Sequence, residues 1–240
     1  MRIGIVCEGP TDFYAIKYFA KTALSRRGVE ADFFDLQPQM DATQAPAGWT
    51  YIENWLRRMD PVARSKRYFG GGLFEDDLDK SRCDLIIVQM DCDHLTADSF
   101  VNFVSHTYSL AQSSAMSNYN FSELVLGSWC GLSQLTSADS QKYVLCPAEQ
   151  STESWCVAAF KREDIDPDTL SGSALVNKFM STLHRSEGRA PTVVYAEIDK
   201  SIRRREKFCK RHAESCFPHV EISTSFRMMI DKVASAAQLV

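Results

Sequence analysis

Three carboxylates in this chain stand where apolar runs stop. Glu8 closes "RIGIVC" and opens the turn "EGPTD", while Asp91 and Asp93 close "CDLIIVQMD" and begin "DCDH". A carboxylate at the end of a buried run is costly unless it is paired or meets a cation. In an open parallel sheet, functional residues collect outside the carboxyl ends of the strands, so the two runs would deliver all three acids to one edge. Asp91 and Asp93 are two residues apart, and an extended chain points both the same way. Converging carboxylates repel one another and stay ionised together around a divalent cation, and hard oxygen ligands suit Mg²⁺ or Mn²⁺.

The elements that must position these acids are legible in outline. "RIGIVC" (2–7) and "CDLIIVQMD" (83–91) are continuous apolar runs of the kind buried on both sheet faces. "EADFFDL" (30–36) and "KYVLCP" (142–147) read as two further strands, the last stopped by proline. A first helix is expected from an N-cap at Thr11, with Asp12 in its first turn and Phe13, Ile16, Phe19, Ala20 and Leu24 facing inward up to Gly28. Pro61 should interrupt a helix over 50–69, and "GGG" at 70–72 is a break. Thr96 or Asp98 can cap a helix running to about Ala115, and further helices are expected over 151–160, 199–213 and 224–238. Residues 191–198 fit a strand or a helix start equally well. The alternation predicts an α/β fold: a Rossmann-like, mostly parallel four-stranded sheet flanked by helices. A catalytic domain over 1–160 would be followed by a mainly helical extension over 161–240, unless the latter embellishes a single domain.

Composition narrows the class. Hydrophobic residues make up 45% and charged residues 24%, as in a globular protein, and no apolar run reaches the length a membrane span needs. The N-terminus lacks the pattern of a signal peptide, which favours a cytoplasmic location without membrane partners. Eight cysteines include no CxxC pair, and most sit inside apolar patterns as small hydrophobes. The net charge of −4 is unevenly spread. "KSIRRREKFCKR" (200–211) holds seven basic groups against Glu206, whereas acids gather in "FEDDLD" (74–79) and "REDIDPD" (162–168). Within the basic run Arg203, Arg204, Lys207 and Arg211 are candidate nucleic-acid contacts, and Arg204, Lys207 and Arg211 share one helical face. Arg64, Lys66 and Arg67, beside the triple glycine, could form a second, mobile contact.

"IVCEGPTD" followed by "LIIVQMDCDH" resembles the TOPRIM domain, the catalytic fold of type IA topoisomerases, primases and overcoming-lysogenization-defect nucleases. That family places Glu-Gly after its first strand and D-x-D after its third, which match Glu8, Gly9, Asp91 and Asp93. The EGPTD form is most similar to standalone nucleases of bacterial defence systems. Leu95 stands where topoisomerases and primases often carry a third aspartate, so their version is disfavoured. "CPAEQSTESW" resembles the acid-x-Trp element of the defence-type relatives and nominates Glu153, with Trp155 beside it. The resemblance covers about residues 2–22, 84–95 and 142–158.

It implies a Mg²⁺- or Mn²⁺-dependent nuclease acting on DNA or RNA, the effector of an anti-phage system, with an ATPase partner or a homo-oligomer allowed. Asp91 and Asp93 would bind metal, Glu8 would bind metal or serve in acid–base work, and Glu153 would complete a second metal position. Gly9, lacking a Cβ, would let the backbone approach metal or phosphate. A lysine that steadies the phosphate would be Lys200 or Lys178, with Lys200 ahead because it opens the basic run. His94 reads as a solvated loop residue. Two other readings remain. A nucleotide-sugar glycosyltransferase would use the D-x-D alone, leaving Glu8 and the basic run without a role. A non-catalytic TOPRIM module would only bind an ATPase. A dehalogenase-type phosphatase ranks lower, because its D-x-D-x-T/V motif fails at Leu95.

Overall fold

The computed structural model of the protein describes residues 1–38, 48–70, 82–108, 114–160, 165–192, 194–217 and 220–239. Its centre is a four-stranded sheet built from β1 (Arg2–Val6), β2 (Asp32–Gln37), β3 (Leu85–Val88) and β4 (Tyr143–Leu145). The strands lie in the order β2-β1-β3-β4 and every pairing is parallel. Ile3 faces Leu85 and Val6 faces Val88, while Ile86 faces Tyr143 and Val88 faces Leu145. The α/β architecture expected from the strand and helix alternation is therefore present.

The apolar continuity of β1 and β3 follows from burial on both faces, since alternate side chains feed opposite cores. Ile3, Ile5, Cys7, Leu85, Ile87, Val144 and Cys146 enter one core. Val6, Ile86, Val88, Met90, Tyr143 and Leu145 enter the other. The first core is covered by α1 (Pro10–Ser25), α7 (Thr152–Phe160), α8 (Gly172–Ser186), α9 (Ile202–His212) and α10 (Thr224–Ala236). The second is covered by α2 (Trp49–Arg57), α3 (Pro61–Phe69), α4 (Asp98–Ser105) and α5 (Asn118–Cys130), with the single turn α6 (Ser137–Ser140) leading into β4. Phe179, Phe208 and Phe226 of the C-terminal helices share their core with Ile3 and Phe19. Trp155 stacks on Phe226 and donates its indole N–H to Ser225 at 2.8 Å. The buried Asp168 accepts from the hydroxyls of Ser154 and Ser223 and from the N–H of Ser225, fastening α10 to α7.

Several local expectations change. Helix α1 is capped two residues earlier than Thr11: Gly9 is the N-cap and Pro10 takes the first helical position, where its fixed φ is preorganised and its missing N–H is no loss. Gly9 itself has φ −149°, a value open to any residue, so the turn geometry does not demand glycine. The 50–69 segment is two helices, α2 and α3, because Asp60 caps the N–H groups of Val62 and Ala63 ahead of Pro61. Residues 190–192 and 194–200 form neither strand nor helix. Helices α5 and α8 stand where the sequence pattern predicts no element, for α5 because its apolar residues run around the helix and obscure the period. Gly131 ends α5 at φ +65°, and a Cβ there would meet Pro61 at 2.3 Å, so α3 docks against that end. All but the first residue of the 70–72 break, and the whole acidic 74–79 stretch, lie outside the described residues.

Candidate metal centre

The carboxyl ends of β1, β3 and β4 are adjacent in the sheet, and the segments leaving them carry the acids. The bridge continuing the sheet beyond β3 and β4 pairs Asp91 with Ala148. The N–H of Ala148 donates to Met90 at 3.0 Å and that of Cys92 to Ala148 at 2.9 Å, fixing the backbone on both sides of Asp91. Asp12 lies in the first turn of α1 and Glu153 in the first turn of α7. Helix N-termini favour negative charge, which is one reason both positions tolerate an acid under burial.

Single carboxylate oxygens of Asp12, Asp91 and Glu153 all lie within 4.8 Å of one another. Among the described residues this is the cluster with metal-ligand geometry. Asp12 and Glu153 are buried and Asp91 is partly so. The hydroxyl of Thr152 donates to Asp12, and the amide of Gln89 donates to Asp91 at 2.6 Å. Each interaction occupies one carboxylate oxygen. Arg205, almost fully buried, donates to Glu153 and reaches the Thr152 hydroxyl at 3.4 Å.

Electrostatics reflect a surplus of negative charge. Burial, then the charge of Glu153, pushes Asp12 from its ordinary 3.8 up to about 7. Burial, then the charges of Glu8, Asp12 and Glu153, raises Asp91 well above the usual carboxylate range. Burial acts the same way on Glu153, but the charge and hydrogen bond of Arg205 outweigh it and hold that carboxyl below its ordinary value. A hard divalent cation would relieve what Arg205 leaves uncompensated, so the donor set fits Mg²⁺ or Mn²⁺.

Glu8 and Asp93 border this cluster. Both Glu8 oxygens are engaged: one accepts the Asp91 N–H at 2.7 Å, the other contacts His94 Nε2 at 2.6 Å. Asp93 lies in the first turn of a short 3₁₀ helix (Cys92–Thr96), so its exposed carboxylate does not continue the extended direction of Asp91 and instead meets His94 Nδ1 at 3.3 Å. His94 is thus a partly buried bridge between two acids, unlike the solvated loop residue expected. Burial would lower its pKa, but the hydrogen bond and charge of Glu8 outweigh this and raise it. Burial also raises Asp93, opposed by the charges of His94 and of Lys200. Lys200 is exposed and its charge reaches the site; Lys178 is half-buried on α8.

Two participants escaped the sequence reading. Asp12 stands in "EGPTD", four residues after Glu8, where the sequence marks only a first-turn helix residue. Arg205 was counted in the basic run, although Phe208 and Cys209, three and four residues on, mark its face as the buried one. The basic run is correspondingly less free than its composition implies. Arg204 forks onto Glu187 at 2.7–2.8 Å and also pairs with Asp199, so its phosphate-contact role is replaced by an internal one. Arg211 donates to the Ser186 carbonyl at 2.7 Å, while Arg203 and Lys207 are exposed. Arg64 is also no surface contact: it is buried, donating to Tyr143 and to the carbonyls of Leu56 and Cys130.

All eight cysteines are unpaired and buried. No helix among the described residues is long and apolar enough to cross a membrane. In comparisons with family models, curated proteins and solved structures, nothing matches this chain.

Proposed function

We propose that this chain is a divalent-metal-dependent nuclease hydrolysing phosphodiester bonds of DNA or RNA. The observation that carries the reading is the meeting of Asp12, Asp91 and Glu153, delivered by three different segments to the carboxyl edge of the sheet. Its support is threefold: the three oxygens are close enough to share one ion, two of the acids have raised pKa values, and the residues forming the edge are those of the TOPRIM resemblance. Mg²⁺ or Mn²⁺ held there would polarise the phosphate and promote a nucleophilic water. The chain's own groups do the rest. Gln89 and Thr152 fix carboxylate orientation, and Arg205 keeps Glu153 ionised and in place. Glu8 and His94 form a hydrogen-bonded pair suited to moving a proton beside Asp91. Lys200 carries positive charge toward Asp93, where it can steady a phosphate. An effector role in anti-phage defence, with an ATPase partner, follows from the resemblance.

The glycosyltransferase reading needs Asp91 and Asp93 to act as one chelating pair. Asp91, the N-cap of the 3₁₀ turn, is instead engaged by Gln89, and Asp93, inside the turn, by His94. The test is incubation of plasmid DNA and total tRNA with the protein in Mg²⁺ or Mn²⁺. Cleavage by wild type, lost in Asp91→Asn and in Glu8→Gln with folding intact, is the expected result. Unaltered cleavage by Asp91→Asn would refute the metal-centre reading.

A further inference from the structure

The basic run has a second feature, separate from the acidic cluster. A cavity of about 200 Å³ opens between the C-terminal end of α8 and one face of α9. Arg189, Arg204, Lys207 and Arg211 line it, and Glu187 is the acid among them. Asp199 neutralises a further charge from the far side of Arg204. Two positive charges therefore stay uncompensated around one small concavity.

The donors are arranged unequally. Arg204 is spent on Glu187 and Asp199, which makes it a fixed wall of the cavity. Arg211 uses one Nη on the Ser186 carbonyl, which anchors the guanidinium and leaves its other N–H groups for a ligand. Arg189 touches Glu187 at 3.5 Å and is mostly exposed. Lys207 is exposed and makes no hydrogen bond or ion pair with any described residue. A planar fork held by its backbone contact beside a free ammonium is the donor set that phosphate recognition uses.

We propose that this cavity is a phosphate-binding subsite, with Lys207, Arg211 and Arg189 as its donors and Arg204 as their support. Its position relative to the acids gives the ligand's source. Arg204 and Arg205 are consecutive on α9: one walls the cavity, the other holds Glu153. The cavity wall and the arginine that reaches the acids therefore lie on neighbouring faces of one helix, about 10–12 Å across with its side chains. A single strand tracking this helix would place one backbone phosphate in the cavity and another at the acids. The choice of a backbone phosphate rests on the nuclease reading; the phosphate chemistry does not.

The experiment is done on the full chain in EDTA, where cleavage plays no part. A fluorescent 12-nucleotide single strand is titrated at several salt concentrations into wild type, Arg57→Gln and Lys207→Gln/Arg211→Gln. In parallel, inorganic phosphate is compared with chloride at equal ionic strength by thermal shift. Wild type and Arg57→Gln, which removes an exposed charge from α2 over the opposite sheet face, should bind the strand alike. The double variant should bind about tenfold more weakly, with the log–log salt slope reduced by about 1.4, or 0.7 per lost contact. Phosphate should raise the wild-type melting temperature and not that of the double variant. Loss of the phosphate effect with unchanged strand binding would also support the subsite and identify a free phosphate or phosphomonoester as its ligand. Wild-type strand affinity, salt slope and phosphate response in a folded double variant would overturn the proposal. Strand binding that depends on Lys207 and Arg211 without any metal-dependent cleavage would leave the subsite standing and remove the nuclease reading.

Discussion

Replacing Asp12 by Asn should stabilise the metal-free protein, and the structure sets the size and pH dependence of that gain. Burial and the charge of Glu153 hold Asp12 at about 7 rather than 3.8. Each pKa unit is worth about 1.4 kcal/mol, so ionising Asp12 in the fold costs about 4 kcal/mol at neutral pH and above. This is an acid whose folded pKa is raised: the folded state holds the proton longer than the unfolded chain. The contribution of Asp12 to stability therefore falls as pH rises from 3.8 to about 7 and levels off beyond. Asparagine keeps an oxygen for the Thr152 hydroxyl and removes the charge, although its amide N–H groups then need acceptors. We expect a net gain of about 2–4 kcal/mol at pH 8 in EDTA, or on the order of 5–15 °C in Tm for a chain of this size. The gain should shrink toward pH 5. Denaturant unfolding of both proteins at pH 5, 6, 7 and 8 measures it, and a Mg²⁺ arm should reverse the order, because only wild type keeps the Asp12 carboxylate for the cation. The reasoning fails if Asp12→Asn is less stable than wild type at pH 8 in EDTA, or if the difference is the same at pH 5 and pH 8.

Glu153 should behave in the opposite way although it faces the same cluster. Glu153→Gln strands the buried Arg205 without its charge partner and should destabilise by about 3–5 kcal/mol, measured by denaturant unfolding; adding Arg205→Met should recover part of the loss. Arg64→Met removes the donor to Tyr143 and two backbone carbonyls and should destabilise by about 2–4 kcal/mol. The same variant should leave the salt dependence of oligonucleotide binding unchanged, which a surface phosphate contact would not.

The strands and their sheet could be read from the sequence because their information is local. Continuous apolar runs such as "LIIV" need two covered faces, and strand–helix alternation leaves few ways to cover them. The ends of those runs also gave Glu8 and Asp91, since a strand's last residue marks the sheet edge wherever the strand lies. Other features depended on long-range partners. Nothing in "KSIRRREKFCKR" states that Glu153 and Thr152 wait across the core for Arg205, or that Glu187 and Asp199 hold Arg204. The basic run reads as a nucleic-acid-contacting surface because burial is a property of the packed neighbour, and only the i, i+3, i+4 pattern of Arg205, Phe208 and Cys209 marks a buried face.

Local patterning yields an α/β chain with acids at the ends of two buried strands and a concentrated basic segment. The tertiary structure decided which acids meet. It turned Asp93 outward through a 3₁₀ turn, tied Glu8 to His94, and brought Asp12 from the first turn of α1 to the first turn of α7 beside Glu153. The physical reason is that a carboxylate's role is set by the charges within a few ångströms of it. Those neighbours come from segments as much as 140 residues apart in the chain.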